Sequence, residues 1–313
     1  MVGKRRTCWK ESLCPLSGTA WLGSHTTRRP VPKSDAEIQN AIANGFQELD
    51  NSLMIPPALY INSTEPMQDK IKKLAPCQSG SCALVSIFDA DRRKLHVACT
   101  GGSRAVFGRK VDNSEWKTTA LSTDQTGSNE SEVERLQRAH PGETKMVQNG
   151  GLFGVRFTRS FGDSRWKWPL ELQVDVTQGF TVGTASVDTD TPYFLIMASG
   201  GLWEIISSEQ AVNIVAKWVD SRMAVTAENW VVVGHTPFHI GTAAEGMNDD
   251  DSINSRMTTQ DENAAVHLIC NALGGNHHDL VASRLAVESP YCRLFRDDIT
   301  VQVIFFNTSI LTE

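Results

Sequence analysis

Tyr193-Phe194-Leu195-Ile196-Met197-Ala198-Ser199-Gly200-Gly201-Leu202-Trp203-Glu204 is an apolar run that ends in a polar, glycine-paired corner. Its six-residue apolar start, the Ser-Gly-Gly break and the Leu-Trp that follows describe a buried strand turning sharply into a helix. Such strand ends commonly carry functional groups. This corner offers no side chain able to hold a metal or move a proton short of Glu204.

Past the corner, Ser207-Ser208-Glu209-Gln210 caps a helix whose Ala211, Ile214, Val215 and Trp218 make one apolar face. Glu262–Leu273 is a second helix, stopped by Gly274-Gly275, and a third covers about His278–Leu285. Arg296-Asp297-Asp298 then introduces a closing strand, Ile299–Phe306. Between the first two helices lies the run Asp249-Asp250-Asp251. It lacks the alternating ligands and distal Glu of a calcium loop, so it is read as a solvated loop.

Upstream, Ser34-Asp35-Ala36-Glu37 is a capping box for a helix of about five turns. Residues 58–79 have a weak pattern, with a short helix around Met67–Leu74. Ala83–Phe88 and Lys94–Cys99 flank a polar turn and predict a hairpin. A second turn at Thr100-Gly101-Gly102-Ser103 leads to a third strand over Arg104–Gly108, which suggests a meander. His96 has no nearby acid, thiol or second His in sequence and is read as a hydrogen-bonded strand residue. Asn129 caps a helix to about His140, taken as a solvated cover. Glycines then punctuate a strand within 150–163 that ends in a polar loop, with Trp166 and Trp168 anchoring it on either side of Lys167.

The chain of 313 residues is 40% hydrophobic, enough for a large core. No segment reaches the roughly 18 apolar residues of a membrane span, and no secretory signal opens the chain, which argues against integral membrane and secreted classes. Seven cysteines without a C-x-x-C pair are read as reduced thiols inside the cell, with no zinc site. The net charge is -6, and the +6 carried by residues 1–33 leaves -12 for the rest, which gives no support to nucleic-acid binding. That basic segment is read as a leader, disordered or targeting. A tail is slightly preferred to a mitochondrial transit peptide because Pro15, Gly18, Gly23 and Pro30 interrupt any long helix.

Five stretches, in order, resemble the metal-dependent protein phosphatases (PPM, or type 2C Ser/Thr phosphatases). They are Thr100–Ala105, Leu121–Gln125, Thr158–Asp163, Ala198–Glu204 and Arg296–Val301. The segment from Asn263 through Asn276 to Asp298 is most similar to the pyruvate dehydrogenase phosphatase branch. The resemblance runs from about residue 36 to 307 and implies an α+β fold, a β-sandwich of two antiparallel sheets flanked by helices. The corresponding division is a leader at 1–33 and a phosphatase-type domain at 34–308, incomplete at its start.

The resemblance also implies a chemistry. Phosphoserine or phosphothreonine is hydrolysed by a water shared between two Mg or Mn ions held by aspartates. The family's Asp-Gly-His-Gly-Gly motif occurs nowhere in this sequence, and its phosphate-gripping arginine has no counterpart. Gly200 stands where the family has a metal-ligating Asp, and Gly102 where it has an Asp associated with a third metal. Of the family's ligands only Asp297 is kept; Asp124 and Asp163 match family positions but are read as loop-structuring.

No catalytic residue is assigned and no substrate-binding residue is identified. The expected function is a phosphatase homologue impaired in catalysis, a pseudophosphatase, for which Mg or Mn binding is doubtful. The alternatives are an active Mg/Mn-dependent phosphatase using replacements such as Glu204 or Asp163, and an incomplete gene product. The expected partner is a phosphoprotein or other protein, with the pyruvate dehydrogenase complex suggested by the branch. The expected location is the mitochondrial matrix, with the cytoplasm as the alternative.

Overall fold

A computed structural model describes residues 34–54, 63–111, 115–142, 146–148, 151–152, 155–167, 181–187, 193–224, 257–258, 261–288 and 291–306. The expectations for the leader, for Trp168 and for Asp249-Asp250-Asp251 lie outside the described residues, as does the side chain of Trp166. The chain divides into two compact units, Met1–Gly102 with Ser122–Ala185, and Ser103–Leu121 with Ser186–Glu313.

The first unit opens with helix α1 (Asp35–Leu53). Its capping box forms as the sequence requires: Ser34 Oγ accepts the Glu37 N–H, and the Glu37 carboxylate accepts the Ser34 N–H. Helix α2 (Met67–Gln78) runs a turn longer than its pattern suggested and tolerates Pro76 near its end. Strand β1 (Gly80–Ser81) pairs with a short strand downstream. The expected hairpin of β2 (Ala83–Asp89) and β3 (Lys94–Thr100) forms, with Ala83 opposite Thr100.

The meander stops there. The next strand, β4 (Arg104–Val111), does not pair with β3; it belongs to the second unit, beside β5 (Glu115–Ala120). The physical reason lies at the connection, where Gly101 takes a left-handed φ of 96° that ends the ladder and redirects the chain. A Cβ there would sit 2.2 Å from Cys82 Sγ, so only glycine fits.

Helix α3 (Glu130–Ala139) is capped by the Asn129 side chain. It is more than the solvated cover its composition suggested, because Glu132 and Leu136 are buried. Glu132 takes a bidentate ion pair from Arg159, a 2.8 Å hydrogen bond from Thr158 Oγ1 and a 3.0 Å bond from Arg135. Burial alone would raise this carboxyl, but those donors prevail and hold it at about 2. A carboxyl depressed on folding contributes stability fully above its ordinary value of about 4.5 and loses it as pH falls towards 2. The size of this contribution is about 3 kcal/mol. Urea midpoints measured across that window should fall in the parent and show a smaller fall in Glu132→Gln.

The glycine-punctuated stretch supplies only β6 (Val147–Gln148), β7 (Gly151–Leu152) and β8 (Phe161–Gly162), the last pairing with β1. The one-turn helix α4 (Ser164–Lys167) follows, and β9 (Thr181–Ser186) completes a three-stranded sheet with β3 between β2 and β9. His96, fully buried in β3, bonds Thr184 Oγ1 through Nδ1 at 3.0 Å, as a structural strand residue would. Asp50 of α1 and Lys167 of α4 form a buried ion pair, 2.7 Å to each carboxylate oxygen.

In the second unit the opening stretch is β10 (Tyr193–Ala198), buried at all six positions. It is a central strand of an antiparallel sheet ordered β11-β10-β4-β5, where β11 is Val301–Phe306. Burial on both faces is why its residues run apolar without alternation. Helix α5 (Gly200–Trp203) forms the corner, and α6 (Ser208–Ala224) packs Ala211, Ile214, Val215 and Trp218 into the core with Phe194 and Ile196. Helix α7 (Ala264–Leu273), capped by Asn263, adds Leu268 and Ala272 to that core, and α8 (His278–Ala286) follows. Helices with antiparallel sheets make this an α+β protein.

Candidate functional site

The corner at the end of β10 is fixed by Ser199. Its N–H donates to Thr300 O at 3.0 Å, its hydroxyl donates to Asp298 O at 2.8 Å, and its Oγ accepts the Thr300 N–H at 2.9 Å. One serine thus extends the β10–β11 pairing past its last register pair, Ala198 with Val301. Sequence inspection shows a polar residue at 199 but gives no sign of a partner a hundred positions away.

Gly201 sits on the same segment. A Cβ on it would lie 2.5 Å from Asp298 O and 3.0 Å from both Asp297 C and O, so the helix start and the Asp297-Asp298 peptide are in direct contact. Leu202 is fully buried and Trp203 donates its indole N–H to Ala198 O at 3.1 Å, which anchors the turn. Arg104 stacks on Trp203, 5.0 Å from the ring centroid, and donates to Ser208 Oγ at 3.0 Å.

The corner that carries Gly200 therefore meets the approach to β11 through its next residue, Gly201, against the Asp297-Asp298 peptide. Asp297 is half-buried and Asp298 exposed. One oxygen of Asp297 already accepts the Asp298 N–H at 2.8 Å, a local turn bond that orients the carboxylate. Gly200 contributes no side chain, so among the described residues this corner offers a hard cation Asp297, Asp298, main-chain carbonyls and, at the far end of α5, Glu204. This set does not fit a pair of Mg or Mn ions, each of which takes several fixed oxygen ligands. Among the described residues no three of His, Cys, Asp and Glu gather as a metal cluster.

The remaining candidates sit in turns, loops and a helix end. Asp163 lies in the first unit with a left-handed φ of 52° and accepts the Ser160 hydroxyl at 2.6 Å, which makes it a loop-structuring residue. The Asp124 carbonyl accepts from Asn129 at 3.0 Å, in the turn that starts α3. Glu204 is exposed at the C-terminal end of α5. Gly102 is half-buried, and a Cβ there would meet nothing within 4 Å, so packing does not demand glycine at that position.

The protein phosphatase 2C family model matches residues 22–231. A protein phosphatase 2C homologue of Schizosaccharomyces pombe is 34% identical over 297 residues, covering 89% of this chain and 64% of that protein. The mitochondrial pyruvate dehydrogenase (acetyl-transferring) phosphatase 1 of Saccharomyces cerevisiae is 32% identical, covering 87% of this chain and 54% of the relative. The chain thus spans between about half and two thirds of the length of these curated relatives. In fold it is similar to a serine-threonine phosphatase 2C from Toxoplasma gondii, with a TM-score of 0.56 at 17% identity, over 95% of this chain and 79% of that one. No helix among the described residues is long and apolar enough to cross a membrane. With its matched family model, its α+β fold and the corner seated on Asp297, the chain belongs to the protein phosphatase 2C family.

Proposed function

We propose that this phosphatase homologue is a pseudophosphatase, impaired at the metal-dependent step and acting by binding a phosphoprotein or other protein partner. The observation that carries the reading is Gly200, placed in a corner that abuts the Asp297-Asp298 peptide. The resemblance puts a metal-ligating carboxylate at 200, and glycine supplies none. With one retained family ligand, a divalent cation keeps almost its whole hydration shell and is free to leave. Glycine at 102 and the lack of an Asp-Gly-His-Gly-Gly motif point the same way.

Similarity to the pyruvate dehydrogenase phosphatase of S. cerevisiae supports the pyruvate dehydrogenase complex as the partner and the mitochondrial matrix as the location. Cytoplasmic residence is the alternative.

Phosphopeptide hydrolysis over a range of Mn²⁺ concentrations tests the reading. The parent should show no turnover above a protein-free blank, and Gly200→Asp alone should show none, since the other ligands stay missing. Mn²⁺-dependent turnover that Asp297→Ala abolishes would overturn the proposal and place the protein among active Ser/Thr phosphatases.

A further inference from the structure

Continuing the β2–β3 register one step beyond Ala83 opposite Thr100 sets Cys82 opposite Gly101. Side chains alternate along strands, so Cys82 and Cys99 share one face of the hairpin as diagonal neighbours. The sulfur of Cys82 lies directly over Gly101, where a Cβ would be 2.2 Å from it, and it accepts the Gly102 N–H at 3.5 Å. Cys82 is half-buried, whereas Cys99 is fully buried.

The two thiols have different environments. Burial, then the nearness of Cys82 and Asp124, push the Cys99 thiol up to about 12, with a Ser122 hydrogen bond opposing. Cys99 therefore stays protonated at neutral pH. A backbone N–H aimed at the Cys82 sulfur stabilises negative charge there, and Cys82 is the more exposed of the two residues.

We propose that Cys82 and Cys99 are a peroxide-sensitive pair that closes into a disulfide and pulls on the Gly101-Gly102 corner. The Cys82 thiolate attacks one oxygen of hydrogen peroxide; the O–O bond breaks, hydroxide leaves and takes a proton to become water. Cys82 is then a sulfenic acid, oxidised by two electrons. The Cys99 sulfur attacks it, the S–S bond forms, the S–O bond breaks, and the Cys99 proton leaves with the hydroxyl as a second water.

Diagonal residues in a regular ladder have Cα atoms about 7–8 Å apart, beyond the roughly 4.4–6.8 Å of a disulfide. Closure therefore requires movement, and Cys82 can supply it because it lies between β1 and β2, outside both. Movement towards Cys99 takes the sulfur off Gly101 and breaks its contact with the Gly102 N–H. Gln125 brackets the same corner, its Oε1 accepting the Gly101 N–H at 2.8 Å and its own N–H donating to Gly101 O at 3.0 Å. The displacement thus reaches the 122–125 loop. A bond closed under such strain is readily reduced again.

The test treats the full, reduced chain with hydrogen peroxide and reads intact mass, a peptide map and dimedone labelling of sulfenic acid. The expected result is a loss of about 2 Da in the parent, a Cys82–Cys99 linkage in the map, little dimedone adduct, and reversal by dithiothreitol. Cys99→Ala should leave Cys82 trapped as sulfenic acid and labelled by dimedone, and Cys82→Ser should leave Cys99 unoxidised. If Cys99→Ala does not fold, the parent's map and Cys82→Ser still decide. A Cys82 that resists oxidation, that links to another cysteine, or that collects dimedone in the parent without the mass loss would overturn the proposal. None of these readouts depends on phosphatase activity.

Discussion

Lys167→Met is expected to cost about 3–5 kcal/mol, because it strands a carboxylate in the interior. The Asp50 and Lys167 side chains are only 4% and 9% exposed. The ammonium donates 2.7 Å bonds to both Asp50 oxygens and a 2.8 Å bond to Ser160 O, using all three of its hydrogens. Burial pulls the Lys167 ammonium below its ordinary value, and Asp50 pulls it back. Without the lysine, Asp50 would keep the Gly162 N–H, at 3.0 Å, as its remaining partner in that cluster. Against a total stability of about 5–15 kcal/mol, the variant should be marginal. Urea unfolding at neutral pH measures the loss, and the pair Asp50→Leu with Lys167→Met should recover most of it, since an apolar replacement removes both charges. A single-variant loss below about 1 kcal/mol would contradict a buried pair.

Gly201→Ala should be the second severe change. The added methyl would lie 2.5 Å from Asp298 O and 3.0 Å from two atoms of Asp297, all main-chain, so no side chain can rotate away. Either α5 lifts from the sheet end or the approach to β11 shifts, at a cost of about 1–3 kcal/mol or more. The control is Gly45→Ala in α1, where a Cβ would meet nothing within 4 Å. That change should stabilise by about 0.5–1 kcal/mol, because alanine is the better helix former. Opposite shifts in melting temperature for one substitution type would separate packing at the corner from intrinsic propensity.

Local signals in the sequence were largely sufficient where structure is local. The Ser34 and Ser207 capping boxes form, the Ser207 hydroxyl accepting the Gln210 N–H at 3.1 Å, and Asn129 caps its helix; the helix expected from Glu262 begins instead at Ala264, after the Asn263 cap. The hairpin and the buried strand at 193 were equally visible, since apolar runs bounded by turn residues need no distant partner to be recognised. What escaped was non-local. β5 reads Glu115-Trp116-Lys117-Thr118-Thr119-Ala120, a half-exposed edge strand too polar to stand out. Nothing near Arg104 announces that its strand pairs with Tyr193–Ala198 instead of the adjacent hairpin. Glu132 looks like any solvated helix acid until Arg159, on a separate loop, arrives beside it. Of the candidate residues, Gly200, Gly102 and Asp297 were found through resemblance; the contact of Gly201 with Asp297-Asp298 and the two hydrogen bonds of the Ser199 hydroxyl join distant parts of the chain and leave no local signal.

The early departure of the chain at Gly102 has a consequence for biosynthesis. The β4–β5 hairpin leaves the ribosome long before Tyr193–Ala198 exists to pair with β4, and the first unit is finished only after that hairpin has been made. During elongation the β4 edge is an unsatisfied row of main-chain donors and acceptors, the kind of surface that recruits other nascent strands. Because both units are interleaved along the chain, no single cut separates them. Vectorial synthesis thus leaves a window in which a chaperone would improve the yield of native protein and slow decoding before Tyr193 would lower it.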